Sequence, residues 1–348
     1  MIYIVYYLLI LLFVVLGDKQ KGRSIVFRIM ACMLFIAIVG FRKYTIGVDS
    51  ESYRNLYYAI PQQNYVWIEI GFDWLIRFLD NCHCDYNGLY LACITLTAIP
   101  IFIVLEKCEH YTFTAFMLYT MTLTTVMNGI RQCIAVGLFM LACLFIIQRK
   151  KIHFFSCMCI ALLFHYSCVI LFPLYFLLNK NLNNRTYTII YVISFVFCFI
   201  NPASYIAPLV NLMTFMGHDY TEHATEAEAS LSSVGFIFNT FVNILIFYLA
   251  IRSKAFEKFP VIANCVFIAL VLKNVSFNMP IVGRMMMYFN WFQYLLIPLA
   301  INHMKITSQD KLNYKLVILI LFYIGIFHNL YSPIMKMMPY DWCTRIFV

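Results

Sequence analysis

Apolar stretches long enough to cross a bilayer recur along almost the whole chain, and nothing else in the sequence constrains the fold as strongly. They run near 2–17, 25–41, 87–105, 111–128, 130–148, 187–201, 234–251, 259–275, 285–302 and 314–333. A helical span requires about 20 mainly apolar residues at about 1.5 Å of rise each. Charged residues make up only 12% of the sequence, against 63% apolar. A soluble domain carries roughly 25% charge, so this chain lacks the polar groups to cover a water-facing surface. The expected fold is all-α, a polytopic transmembrane bundle of about 10–12 spans. No internal repeat or low-complexity segment divides it, so residues 1–348 read as a single integral membrane domain. The first stretch, Ile2 to Leu16, lacks a basic leader and a small-residue cleavage site and reads as a retained span.

The net charge of +9 does not point to nucleic acid, because the basic residues are grouped between apolar stretches. Lys19, Lys21 and Arg23 form one group, Arg149, Lys150 and Lys151 a second, and Arg252, Lys254 and Lys258 a third. This is loop charge that orients a membrane protein. With the 18–28, 149–151, 252–258 and 303–315 segments in the cytoplasm, both termini fall outside. The 202–233 segment then becomes an extracytoplasmic loop, acidic through Asp219, Glu222, Glu226 and Glu228 and free of Lys and Arg. The 13 cysteines lie mostly singly in apolar segments, where they act as small hydrophobes. Cys82-His83-Cys84 is the exception, but a metal site needs about four ligands and no second pair stands nearby.

Two segments depart from simple spans. Between 66 and 80, apolar residues such as Trp67, Trp74 and Phe78 alternate with Glu69, Asp73, Arg77 and Asp80 at helical spacing. That pattern suits an interfacial helix lying at headgroup level. Residues 152–178 separate two basic turns that both belong in the cytoplasm, so the chain must cross an even number of times between them. Two full spans need roughly 35–40 residues, and 27 are available. A re-entrant pair of half-helices meeting near Phe164, His165, Tyr166 and Ser167 resolves the conflict. Such broken backbone is tolerated at membrane depth only where protein or a wet cavity surrounds it. The alternative, one long tilted span, inverts every later loop against the charge count.

In so apolar a chain the informative residues are ionisable groups at span ends, which cost on the order of 3 kcal/mol at helix centres. Arg42 follows the second span and leads through Gly47 to Asp49 and Tyr53. Asp49 can bond local backbone donors or cap the following helix. Asn128-Gly-Ile-Arg131-Gln132 sits between two spans, where a helix start, amide side chains and a guanidinium together suit an anion. An ordinary turn with Arg131 snorkelling to headgroups is the other reading. His165 lies in the expected re-entrant turn, either packed or available for proton transfer. Arg284 precedes a methionine run and Tyr288, after a Pro280-Ile-Val-Gly283 stretch expected to bend the chain. Three outer-side arginines beside an interfacial helix suggest an anion site facing outward.

These stations, in this order, resemble the EpsG family of Wzy-like polysaccharide polymerases. The matching residues are Arg42, Gly47-Val-Asp49 and Tyr53; Glu69-Ile-Gly71-Phe72; Asn128-Gly-Ile-Arg131-Gln132-Cys-Ile-Ala135; Arg149-Lys-Lys151; and Phe164-His165-Tyr-Ser167 leading to Pro173. The resemblance spans about 40–290 and weakens in the 202–233 loop and the last spans. It implies a multi-pass glycosyltransferase of the bacterial inner membrane with its active site facing the periplasm or outside, and neither cofactor nor catalytic metal is expected. Such an enzyme transfers a glycan from undecaprenyl diphosphate to a sugar hydroxyl of an O-antigen, capsule or exopolysaccharide unit. Its partners are the lipid-linked oligosaccharide and the bilayer, with a chain-length regulator and a flippase in the same pathway. Arg131, Arg284 and Arg42 would hold the diphosphate. Asn128, Gln132, Tyr53 and Tyr288 would line the substrate, and Glu69, Asp49 and His165 are the candidate bases. A flippase or transporter of the same units, a membrane acyltransferase acting on surface glycans and a non-catalytic assembly factor are the competing readings.

Overall fold

A computed structural model describes residues 2–18, 24–63, 68–197, 233–275, 280–331, 335–343 and 346. The acidic 202–233 loop, all but its last residue, lies outside the described residues, as do Trp67 and the basic residues at 19–23. Among the described residues the chain is helical, with one isolated bridge between Arg42 and Trp342. The single membrane domain expected from sequence is organised as two compact units, Met1–Tyr175 with Leu312–Val348, and Phe176–Lys311.

The first unit contains α1 (Ile2–Leu16), α2 (Ile25–Gly40), α3 (Ser50–Ala59), α4 (Ile70–Asn81), α5 (Tyr86–Lys107), α6 (Tyr111–Met121), α7 (Leu123–Asn128), α8 (Ile130–Ile147) and α9 (Lys151–Phe164). Helices α1, α2, α5, α8 and α9 pack in that order, with α6 against α1 and α5. Ser24 caps α2 by accepting from the Val26 amide at 3.1 Å, and Asp85 caps α5 by accepting from the Tyr86 amide at 2.7 Å. The stretch expected as one span over 111–128 is divided at Thr122. There the Thr120 and Thr122 hydroxyls donate to carbonyls one turn back, a bond that bends helices.

The second unit contains α11 (Asn184–Val196), α12 (Ser233–Arg252), α13 (Ala255–Lys258), α14 (Pro260–Val275), α15 (Pro280–Asn290) and α16 (Gln293–His303), with the short α10 (Leu174–Leu177) at its boundary. Tyr187 of α11 stacks on Phe256 at 3.7 Å and donates to Asn264 Oδ1 at 2.7 Å. The bend expected at Pro280–Gly283 is a helix start instead. Proline suits the first turn, where its missing N–H needs no partner, and Gly283 falls inside α15.

The last helix, α17 (Ser308–Tyr331), exposes Leu312, Leu316, Ile320, Ile324 and Tyr331 along one stripe. A leucine and isoleucine stripe of that length has no place in water and faces lipid. Tyr86–Lys107, Ile130–Ile147, Gly235–Arg252 and Ser308–His328 are long and apolar enough to cross a membrane, and five shorter apolar helices accompany them. The protein is a polytopic helical membrane protein.

The two departures from simple spans both appear. Helix α9 stops at Phe164, His165 is extended, and a 3-10 turn over Tyr166–Leu171 follows. The chain then folds back, because Phe155 lies 6.0 Å from Phe172 and 5.7 Å from Tyr175. Helix α4 buries Phe72, Ile76 and Leu79 against the bundle. Its opposite stripe of Ile70, Trp74 and Phe78 is exposed, and the Asp73–Arg77 pair, 3.0 Å apart, supplies the polar edge. The sequence suggested one polar face; the structure has a second apolar one, which fits contact with both protein and the bilayer boundary.

Candidate active site

The end of the first unit where α2 stops and α5 and α8 begin gathers most of the residues singled out above. Gly71 opens the way. A β-carbon there would lie 2.8 Å from Leu163 Cβ and from its carbonyl oxygen, so only glycine lets α4 press against the last turn of α9. That approach sets Glu69, at the N-cap position of α4, beside His165, just past the end of α9. Arg131, in the first turn of α8, meets the same carboxylate.

Glu69 divides its two oxygens. Oε1 lies 3.0 Å from His165 Nδ1, and Oε2 accepts from Arg131 Nη1 in a short ion pair. The Glu69 side chain is 5% exposed, whereas those of Arg131 and His165 are 27% and 20% exposed. A nearly sealed carboxylate thus holds a cation and an imidazole that both reach the surface of the fold. The guanidinium carbon of Arg131 lies 5.8 Å from the Tyr53 ring and 5.6 Å from the Phe72 ring, within cation–π range. Its Nε is buried and has no hydrogen-bond partner among the described residues.

Burial pushes the Glu69 carboxyl up, but the His165 hydrogen bond and the Arg131 charge outweigh it and hold the group below its ordinary value. Glu69 is therefore ionised at neutral pH. An ionised carboxylate can only accept, so the proton on the imidazole belongs at Nδ1 and the lone pair at Nε2. Burial pushes the Tyr53 phenol up to about 12, with Arg131 acting against it, so its hydroxyl stays protonated.

The remaining candidates are placed differently. Arg42 is 0% exposed, and its donors go to the carbonyls of Val39 at 2.6 Å, Met127 at 2.8 Å and Ile46 at 3.3 Å and to Ser50 Oγ at 3.4 Å. The expectation that Arg42 holds a diphosphate gives way to a structural role, because backbone oxygens already occupy its fork. Asn128 ties the same loop down, accepting from the Val48 amide at 2.6 Å and donating to the Thr124 carbonyl at 2.9 Å. Gly47 makes this loop possible with φ +93°, and a side chain there would strike the Met127 carbonyl. Asp49 occupies the N-cap position of α3 without a side-chain cap bond and is exposed. Gln132 is buried in α8. Arg284 and Tyr288 belong to the second unit, the first exposed on α15 and the second buried. Gly71 and Phe72 entered the sequence reading only as motif letters; the geometry gives the first a packing role and the second a face against Arg131.

Comparison with curated proteins yields no match, and neither does comparison with solved structures. A family model does match, over residues 25–342, which takes in both units and every residue of the Glu69–Arg131–His165 cluster. The chain belongs to the EpsG family, that of Wzy-like polysaccharide-polymerase-type proteins.

Proposed function

We propose that this protein polymerises lipid-linked oligosaccharide repeat units, moving the glycan from undecaprenyl diphosphate to an acceptor sugar hydroxyl at the outer face of the bacterial inner membrane. Family membership supports a membrane glycosyltransferase-like polymerase of polysaccharide biosynthesis. The observation that carries the finer reading is the single carboxylate shared by Arg131 and His165.

In this reading the acceptor hydroxyl attacks the anomeric carbon of the donor glycan. The bond from that carbon to the diphosphate oxygen breaks, and the carrier leaves with the electron pair. His165 Nε2 takes the acceptor's proton, a step worth about 10²–10⁴-fold when the base is well placed. Arg131, 27% exposed, meets the charge developing on the departing diphosphate with the Nη donors that Glu69 leaves. Glu69 has both oxygens committed, so it acts as a positioning residue that fixes the imidazole tautomer and aims the guanidinium. Asp49 stays a candidate base at the N-terminus of α3. Anchoring both reactants in the bilayer confines them to one plane and supplies much of the orientation.

An acyltransferase would also employ an oriented histidine, yet it would leave the half-open Arg131 without an anion to serve. A transporter would need cations but no base. The discriminating experiment is surface-glycan analysis of cells carrying Arg131→Gln or His165→Gln at normal protein levels. Glycan capped at a single repeat unit is the expected result. Loss of even single units would indicate transport, and unchanged chain length would overturn the assignment.

A further inference from the structure

A second arginine at the same end of the first unit has a different setting. Arg54 projects from α3, one residue after Tyr53, and its guanidinium carbon lies 4.3 Å from the Tyr44 ring and 5.7 Å from the rings of Tyr58 and Tyr86. The rings brace one another, with centroids 5.8 Å apart for Tyr44 and Tyr86 and 6.5 Å for Tyr58 and Tyr86. Tyr58 donates its hydroxyl to Asp85, whose carboxylate also accepts from the Tyr86 amide. Asp85 is thereby occupied and forms no ion pair with Arg54, and neither does exposed Glu51 one turn earlier on α3.

Among the described residues, the other arginines at this end all have oxygens. Arg42 has four, Arg131 has Glu69, and Arg77 has Asp73 and the Gln63 carbonyl. Among the described residues Arg54 has none, and its Nε is buried without a hydrogen-bond partner. Aromatic faces attract the cation, but they offer its N–H donors no acceptor oxygen. A planar fork held against rings and lacking an oxygen is suited to the paired oxygens of a carboxylate or a phosphate.

We infer that Arg54 with Tyr44, Tyr58 and Tyr86 forms a second anion site, which grips an acidic substituent of the glycan, the carboxylate of a sugar acid or a phosphate ester. The inference rests on the polymerase reading and narrows its substrate to repeat units carrying negative charge. Tyr53 and Arg54 are neighbours on α3, so the two guanidinium sites lie on adjacent faces of one ten-residue helix. One would take the carrier's phosphates while the other holds the sugar chain by its charge. Tyr58 is 42% exposed and offers part of a ring for a sugar to lie against.

The test measures binding to the full chain in lipid nanodiscs without turnover. The probes are a glucuronate-containing trisaccharide, its neutral glucose counterpart and inorganic pyrophosphate. The wild-type protein should prefer the acidic trisaccharide by about tenfold, the worth of one charge-assisted pair. Arg54→Gln should abolish that preference and keep pyrophosphate binding, whereas Arg131→Gln should do the reverse. Arg54→Lys, which keeps the charge and the cation–π contact, should retain part of the preference and guards against a folding defect in the Gln variant. Equal affinity for the two trisaccharides in wild type, or a preference that survives Arg54→Gln, would overturn the inference. So would loss of pyrophosphate binding in Arg54→Gln, which would assign Arg54 to the carrier. An Arg54-dependent preference in a protein that elongates no chains sustains the anion site and overturns the polymerase reading alone.

Discussion

Arg42 and Arg131 lie at the same end of the same unit, both beside helix ends and both against a tyrosine, and they are put to opposite uses. Arg42 sits 4.2 Å from the Tyr90 ring, fully buried, and spends its donors on the chain's own oxygens. It joins the end of α2, the Gly47 loop and the end of α7 into one knot. Arg131 meets a single carboxylate, stays 27% exposed and retains a buried donor without a partner. An arginine's role here follows from how many oxygens the surrounding backbone brings to it, and not from its depth or its position on a helix.

Variants can break that contrast or sharpen it, and the largest effect belongs to Arg42. Arg42→Met should abolish most of the folded protein, since each carbonyl it orphans costs about 1–3 kcal/mol. Gel filtration of the detergent-solubilised protein reads this out. A well-folded Arg42→Met that makes no long chains would reverse the contrast and return Arg42 to the substrate site. His165→Gln should fold normally and lower elongation by about 10²–10⁴-fold, the span of one general base. Arg131→Gln keeps a donor toward Glu69 and should lower elongation by about 10²–10³-fold. Arg131→Lys should fall between wild type and Arg131→Gln, because a lysine keeps charge and loses the fork. Both are read from the rate of chain extension on lipid-linked units.

Gly71→Ala should cost about 1–3 kcal/mol of stability by overpacking against Leu163. It should also slow elongation by pushing Glu69 off His165, and a thermal midpoint unchanged from wild type would show that α4 can shift freely. The smallest effect concerns acid. Glu69 has its pKa lowered by folding, so its stabilisation is complete above the ordinary value of 4.5 and fades as pH falls toward the folded value. The gap in thermal midpoint between wild type and Glu69→Gln should therefore narrow from about pH 6 to about pH 3. A gap that widens on acidification would mean that the carboxyl is protonated in the folded protein.

Much of this was legible in the chain, and the limits have physical causes. Span-length apolar runs dictate helices, and counting residues between two basic turns was enough to locate the break at His165. Divisions inside runs, at Thr122 and at Trp291, depend on side-chain back-bonding and packing that hydropathy does not register. Glu69, Arg131 and His165 each drew notice, but Glu69 and His165 are 96 positions apart and only the close approach at Gly71 joins them. Arg42 looked like a ligand-binding arginine because its oxygens come from Met127 and the folded loop, which no local pattern announces. Arg54 carries no signal of its own in the sequence, since its three rings come from residues 44, 58 and 86.

The segment beyond α17 carries one more consequence. The Lys336 carbonyl accepts from the Gly47 amide at 2.9 Å, the Lys43 amide donates to the Asp341 carbonyl at 3.0 Å, and the Cys343 amide donates to the Phe41 carbonyl at 2.7 Å. Tyr340 reaches back 302 positions to the Ile38 carbonyl. Ribosomal synthesis delivers the helix pair α1 and α2 long before these clamping residues exist. The loop that Arg42 and Gly47 organise must therefore wait, threaded but unlocked, until residues 336–343 have been made. This end of the first unit is thus locked only after its last strap is made, although most of its parts are made early.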